Sequence, residues 1–145
     1  MEMNDDRPAA CFTIHSLEHL RAALTACAEC GLPVIALSAT AASGFAGAAW
    51  FDALIAQGRA EFPGVPLTAV LDCGDRAGDA IAALNRGLPH LIFAGHPAAA
   101  ERLADIAAQC GAAILTTRPA SCDLMNVTNP YRTARTHCAG LGNKL

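Results

Sequence analysis

A chain of 145 residues with 53% hydrophobic side chains is one domain by length and can bury a real core, yet it falls short of the roughly 250 residues of a complete eight-stranded βα barrel. Its ten Lys and Arg residues are scattered and its net charge is −3, which leaves no basic stripe for a phosphate backbone to follow and excludes nucleic acid as an expected partner. No apolar run approaches the roughly 18 residues of a membrane span, and the opening MEMNDDRPAA is acidic where a secretion signal would be basic, so no membrane association and a cytoplasmic location are expected.

Residues 1–8 are expected to be disordered, with a βα-repeat domain over 9–119. Cys11 to His15 reads as a strand, Ser16 as an N-cap, and Leu17, Leu20, Leu24 and Cys27 as a helical stripe ending at Gly31. Pro33 to Ala39 is a continuous apolar run suited to a strand buried on both faces. After a Ser/Gly loop, Phe51, Leu54, Ile55 and Phe62 stripe a second helix that PGVP, Pro63 to Pro66, stops. The stretch VPLTAVLDCGDRAG, Val65 to Gly78, an apolar run that ends in an aspartate, a cysteine and a glycine, supplies a third strand, and Ala77, Ile81 and Leu84 line a helix ending near Gly87. Leu88 to Ala94 is a fourth strand, Pro97 opens a fourth helix carrying Leu103, Ile106, Ala107 and Cys110, and Ala112 to Thr117 is a fifth strand. Residues 120–145 hold no sustained period and read as a C-terminal tail, with at most one short helix near Tyr131 to His137.

Strict alternation with short connections implies an α/β fold of five parallel strands, either a partial TIM-barrel-like arrangement or an open, doubly wound, flavodoxin-like sheet. Ligands of such folds bind at the carboxyl ends of the strands. That face collects His15 and Ser16, Ser38 and Thr40, Asp72 and Cys73, Gly95 and His96, and Thr116, Thr117 and Arg118. Single polar residues at strand ends are often just caps. A carboxylate beside a thiol, Asp72 with Cys73, is the more telling pair, because burying both without purpose is costly.

The stretch from Ser16 to Gly74 resembles the first half of class II, zinc-dependent fructose-bisphosphate and related ketose-bisphosphate aldolases, and the likeness runs from about Phe12 to Pro119. In that family the third strand ends in His-x-Asp-His, whose aspartate is the catalytic acid/base and whose last histidine binds zinc. Here the same place reads Val70-Leu71-Asp72-Cys73. A further zinc-binding glutamate of the family matches Thr117, the asparagines at the first strand's end match Thr13, His15 or Ser16, and the Asp-Gly pair after strand four reads Ala94-Gly95. Two more zinc histidines belong to strands beyond the likeness. The resemblance therefore implies the scaffold and Asp72 but not the zinc chemistry.

No cofactor is expected. A zinc site built from Cys73 with Asp72 and His96 or His15 lacks any recognised close ligand spacing. Seven cysteines, an odd number at modest density, read as thiols rather than a disulfide scaffold. Cys27-Ala28-Glu29-Cys30 has the C-x-x-C spacing but lies at a helix C-terminus, whereas the redox motif needs the N-terminus; Cys27 reads as core, Cys30 as incidental, and Cys138 has no placed partner.

The expected function is that of a degenerate aldolase-like protein holding a small ligand, a sugar phosphate or other carbonyl compound, at the strand ends. His15, Ser38, Gly95, His96, Thr117 and Arg118 would line that site, with Arg118 on the anion and Asp72 on the carbonyl or hydroxyl. Two alternatives stay open: an enzyme of altered chemistry with Asp72 as general base and Cys73 as nucleophile or metal ligand, and a regulatory or structural partner protein. Five barrel strands would leave open edges and an uncovered inner face, to be covered by residues 120–145 folding back, by helices on both sides of an opened sheet, or by a second chain; of these a homodimer is expected.

Overall fold

The computed structural model describes residues 7–142, so the disorder expected of residues 1–8 falls, for 1–6, outside the described residues. The chain order is β1 (Ala10–Thr13), α1 (Leu17–Cys30), β2 (Val34–Leu37), a 3-10 turn (Ala42–Gly44), α2 (Gly47–Glu61), β3 (Leu67–Asp72), α3 (Ala77–Arg86), β4 (His90–Ile92), α4 (Pro97–Cys110), β5 (Ala113–Leu115), β6 (Cys122–Asp123) and α5 (Pro130–Gly142). The helix boundaries follow local chemistry. The Ser16 hydroxyl accepts from the His19 amide at the start of α1, Pro97 opens α4, and Gly31, Gly87 and Gly111 end their helices in the left-handed conformation that only glycine adopts without strain.

All six strands are parallel, in the order β5-β4-β3-β2-β1-β6. Registers run Ala10 against Val34, Val34 against Leu67, Leu71 against Leu91 and His90 against Ala113. The flavodoxin-like order, with the first strand between the second and third, does not occur, because β2 lies between β1 and β3. Successive helices touch in the same sequence: α5 against α1, α1 against α2, α2 against α3 and α3 against α4.

Strand alternation divides the sheet into two faces. Phe12, Val34, Ala36, Leu67, Leu71 and Leu91 join Leu20, Leu24, Phe51, Leu84 and Leu103 of the helices in the main core. Leu37, Val70 and Ile92, with Cys11 and Ile35 against them, form a separate cluster on the opposite face that contains no helix residue. These three are buried within the single chain, so the apolar exposure from which a homodimer is expected does not arise at the centre of the sheet.

Residues 120–142 are not a patternless tail. β6 adds a sixth strand, Phe12 pairing with Cys122 and Thr13 with Asp123, and α5 lays Ala134 and Cys138 into the main core against α1. The short helix expected near Tyr131 to His137 is present but longer, Pro130–Gly142, and its packing has no periodic signal because the residues it buries are small. The signal that would have fixed its start is Asn129-Pro130: the Asn129 carboxamide oxygen accepts from the Arg132 amide, and Pro130 is the first helical residue. Two other expectations are corrected. Ile81 and Cys110 lie on the outer sides of their helices, and α3 instead buries Ala80, Ala83 and Leu84. Among the described residues no helix is long and apolar enough to cross a membrane.

Candidate functional site

The polar centre of the strand ends is Asp72, the last residue of β3. Its side chain is 3% exposed and points to the face away from the helices. One carboxylate oxygen accepts from the backbone amides of Ala41 at 3.1 Å and Gly74 at 2.8 Å, and the other from the Arg118 guanidinium at 2.7 Å. Ala41 and Gly74 both have φ near +56°, so the two amides converge on one oxygen through left-handed turns. A side chain at Gly74 would also meet the Ala41 methyl at 2.9 Å, which explains the glycine after Asp72-Cys73.

Arg118 spans the strand ends from the connection after β5. Its second nitrogen donates to the Thr13 hydroxyl and the Ser38 carbonyl, both at 2.8 Å. The Ser38 hydroxyl in turn accepts from the Asp72 amide at 2.9 Å, and Thr13 Oγ1 lies 2.6 Å from Ser121 Oγ. Arg118 thus ties β1, β2 and β3 together in a network whose charges cancel. Of the expected site residues, Asp72, Ser38 and Arg118 come together here; Thr13 and Ser121 complete the network, and Ser121 lies in the stretch that sequence reads as tail.

Cys73 does not join Asp72. Adjacent strand residues point to opposite faces, and the Cys73 thiol is fully buried in the main core, its sulfur 4.0 Å from the Leu71 carbonyl. Burial pushes this thiol up to about 11; the Ser43 hydroxyl lowers it, while Asp72 and Asp79 raise it further. Burial and the raised thiol disfavour the thiolate that a nucleophile or metal ligand needs. The expected Asp72–Cys73 catalytic pair is therefore replaced by two separate residues, a polar anchor and a core thiol.

The other expected residues scatter. His96 caps α4, its Nδ1 accepting from the Ala98 amide at 3.1 Å. Gly95 packs under the Phe93 ring, which a Cβ would meet at 2.4 Å, so packing alone accounts for the glycine. Thr117 is exposed and outside the Arg118 network. His15, just past β1, has Nε2 2.7 Å from Asp123 Oδ1, and its backbone amide donates to His19 Nδ1 at 3.1 Å. Partial burial pushes the Asp123 carboxyl up, but the Met125 amide, His15 and Arg118 outweigh it and hold the group below its ordinary value. Burial and the neighbouring His15 push His19 down.

Beside His15 opens an apolar pocket of about 210 Å³ at the ends of β1 and β2, walled by Ile14, Ala42, Phe45, Trp50 and Met125. Among the described residues on its wall, His15 is the one ionisable side chain. Among the described residues no group of three or more His, Cys, Asp or Glu side chains is arranged to hold a metal ion. The chain matches no protein-family model, and no curated protein matches it.

Proposed function

We propose that this protein is a catalytically silent, partial-barrel relative of the class II aldolases that binds a small neutral carbonyl or hydroxyl compound with an apolar body at the ends of β1 and β2. One observation carries the reading: both oxygens of Asp72 are taken by Arg118 and two backbone amides. A general base needs an accessible lone pair within about 2.6–3.2 Å of the proton it removes; three donors fill three of the roughly four acceptor sites of this carboxylate, and its side chain is only 3% exposed. Arg118, which an anion would need, is already neutralised by Asp72, so a phosphorylated ligand is disfavoured against an uncharged one. The apolar pocket supplies contact area, and the Asp123-held His15 imidazole supplies one directional polar contact. Support for barrel-like curvature comes from the consecutive strand order, the return of β6 beside β1, and the helix-free inner cluster.

Trp50 is the sole tryptophan and lines the pocket, so its fluorescence reports occupancy. Titration with cyclohexanone is expected to give a saturable change that is lost in Ala46→Leu, which fills the pocket, and weakened in His15→Ala. Dihydroxyacetone phosphate should bind no better than dihydroxyacetone. Tenfold tighter binding of the phosphate, or zinc-dependent cleavage of fructose bisphosphate, would overturn the proposal.

A second reading, a protein-binding role, is favoured by the pocket rim, where Phe45 is 75%, Met125 47% and Trp50 38% exposed. Contiguous apolar exposure of this kind marks interaction surfaces. The expected homodimer is one form of it, and light scattering of wild type against Phe45→Ser separates the cases: a dimer mass that falls to monomer supports pairing through this rim.

A further inference from the structure

Three thiols that sequence leaves unconnected meet where α1 packs on α5. Cys27 and Cys30 stand one turn apart on α1, so they share a face, and Cys138 faces them from α5. Cys27 Sγ and Cys138 Sγ are 3.4 Å apart in the core, and Cys138 also interacts through its side chain with Cys30. The three differ in surroundings. Cys27 and Cys138 are 0% and 1% exposed, whereas Cys30, the last residue of α1, is only half-buried. Arg135, one turn before Cys138 on α5, donates a guanidinium hydrogen bond to Cys30 Sγ. The nearby acid, Glu29, accepts from the Tyr131 hydroxyl at 2.6 Å and stands 3.9 Å from Nε of the same Arg135.

We propose that Cys30 is a hydroperoxide-reactive thiol with Cys138 as its resolving partner, so that oxidation joins α1 to α5 through a disulfide. A guanidinium donating to sulfur stabilises negative charge there, and partial exposure admits a small oxidant. The Cys30 sulfur attacks one oxygen of the hydroperoxide; the O–O bond breaks, and the departing oxygen leaves as an alcohol, or as water from hydrogen peroxide. The sulfur is oxidised by two electrons to a sulfenic acid. Cys138 then attacks that sulfur, the S–O bond breaks, and the hydroxyl leaves with the Cys138 thiol proton as water. Cys27 and Cys138 are buried in the core, out of reach of the peroxide itself, which leaves half-buried Cys30 as the entry point. The bridge pins the C-terminal helix to the first one, and a dithiol reductant reverses it.

Exposed, isolated Cys110 is the internal reference thiol. The full chain is treated with one equivalent of hydrogen peroxide and mapped by trypsin without reduction. The expected product loses two hydrogens and links residues 22–59 to 136–144, and it still forms in Cys27→Ala. Cys30→Ser should slow bridging about tenfold or more, and Arg135→Ala should slow it too, with part of the rate restored by Arg135→Lys. In Cys138→Ala, dimedone should trap a sulfenic acid on Cys30 ahead of Cys110. Bridging of Cys27 to Cys138 at the wild-type rate in Cys30→Ser, or dimedone on Cys110 before Cys30, would overturn the proposal. The dimedone result decides even if Cys30→Ser does not fold.

Discussion

Replacing Arg118 by Met removes one partner of the buried pair at the strand ends and leaves the other in place. Breaking a buried ion pair from one side costs about 3–5 kcal/mol, because the remaining charge is uncompensated. Arg118 is 25% exposed and Asp72 3%, and Asp72 keeps the Ala41 and Gly74 amides, which places the loss at the lower end, about 3 kcal/mol. For a domain of this length that is roughly 10 °C in Tm. Asp72→Asn leaves a guanidinium that can turn to water and should cost less, about 2 kcal/mol. In the double variant no charge stays buried, so the combined loss should fall short of the sum by at least about 1 kcal/mol. Urea unfolding followed by far-ultraviolet circular dichroism measures all three. If Arg118→Met costs under about 1 kcal/mol, or the two losses simply add, the pair is not the anchor described here.

Two helical glycines separate packing from propensity: Gly58→Ala in α2 drives a methyl to 2.6 Å from Leu20 Cδ2 and should destabilise by about 1–3 kcal/mol, whereas Gly78→Ala in α3 meets nothing within 4 Å and should stabilise by about 0.5–1 kcal/mol. A thermal scan of both checks this, and equal shifts would refute the α1–α2 contact. For Cys73 the sign follows from a folded-state thiol raised to about 11 against an unfolded one near 8.5: its contribution is intact below about pH 8.5 and is lost as pH rises toward 11. Urea midpoints should therefore drop between pH 8 and pH 10, and drop less in Cys73→Ala; identical drops would show that the thiol is not held protonated. In the folded protein at pH 7.5, iodoacetamide should label Cys110 well before Cys73, and comparable rates at the two sites would mean that the core opens there.

What is written locally in the chain was legible in it. Ser16, Gly31, Gly87, Pro97 and Gly111 act on their own backbones within a turn, so the ends of α1 and α4 and the end of α3 follow from sequence. The parallel β1-to-β5 order follows from the alternation of apolar runs with helical stripes. Asp72 stood out correctly as a buried carboxylate, but its role depended on which charge would arrive from 46 residues away, and only the folded chain brings Arg118 and Thr13 to it. The same limit hid β6 and the full length and docking of α5, of which only a short helix near Tyr131 to His137 was legible. A two-residue strand has no period, and a helix that buries Ala134 and Cys138 has no apolar stripe, so although Asn129-Pro130 starts α5 locally, where β6 and α5 pack is specified by β1 and α1. Burial and side-chain direction are likewise properties of the packed sheet. Asp72 and Cys73 are neighbours in the chain, yet the pleat sends one to the strand-end network and the other into the core.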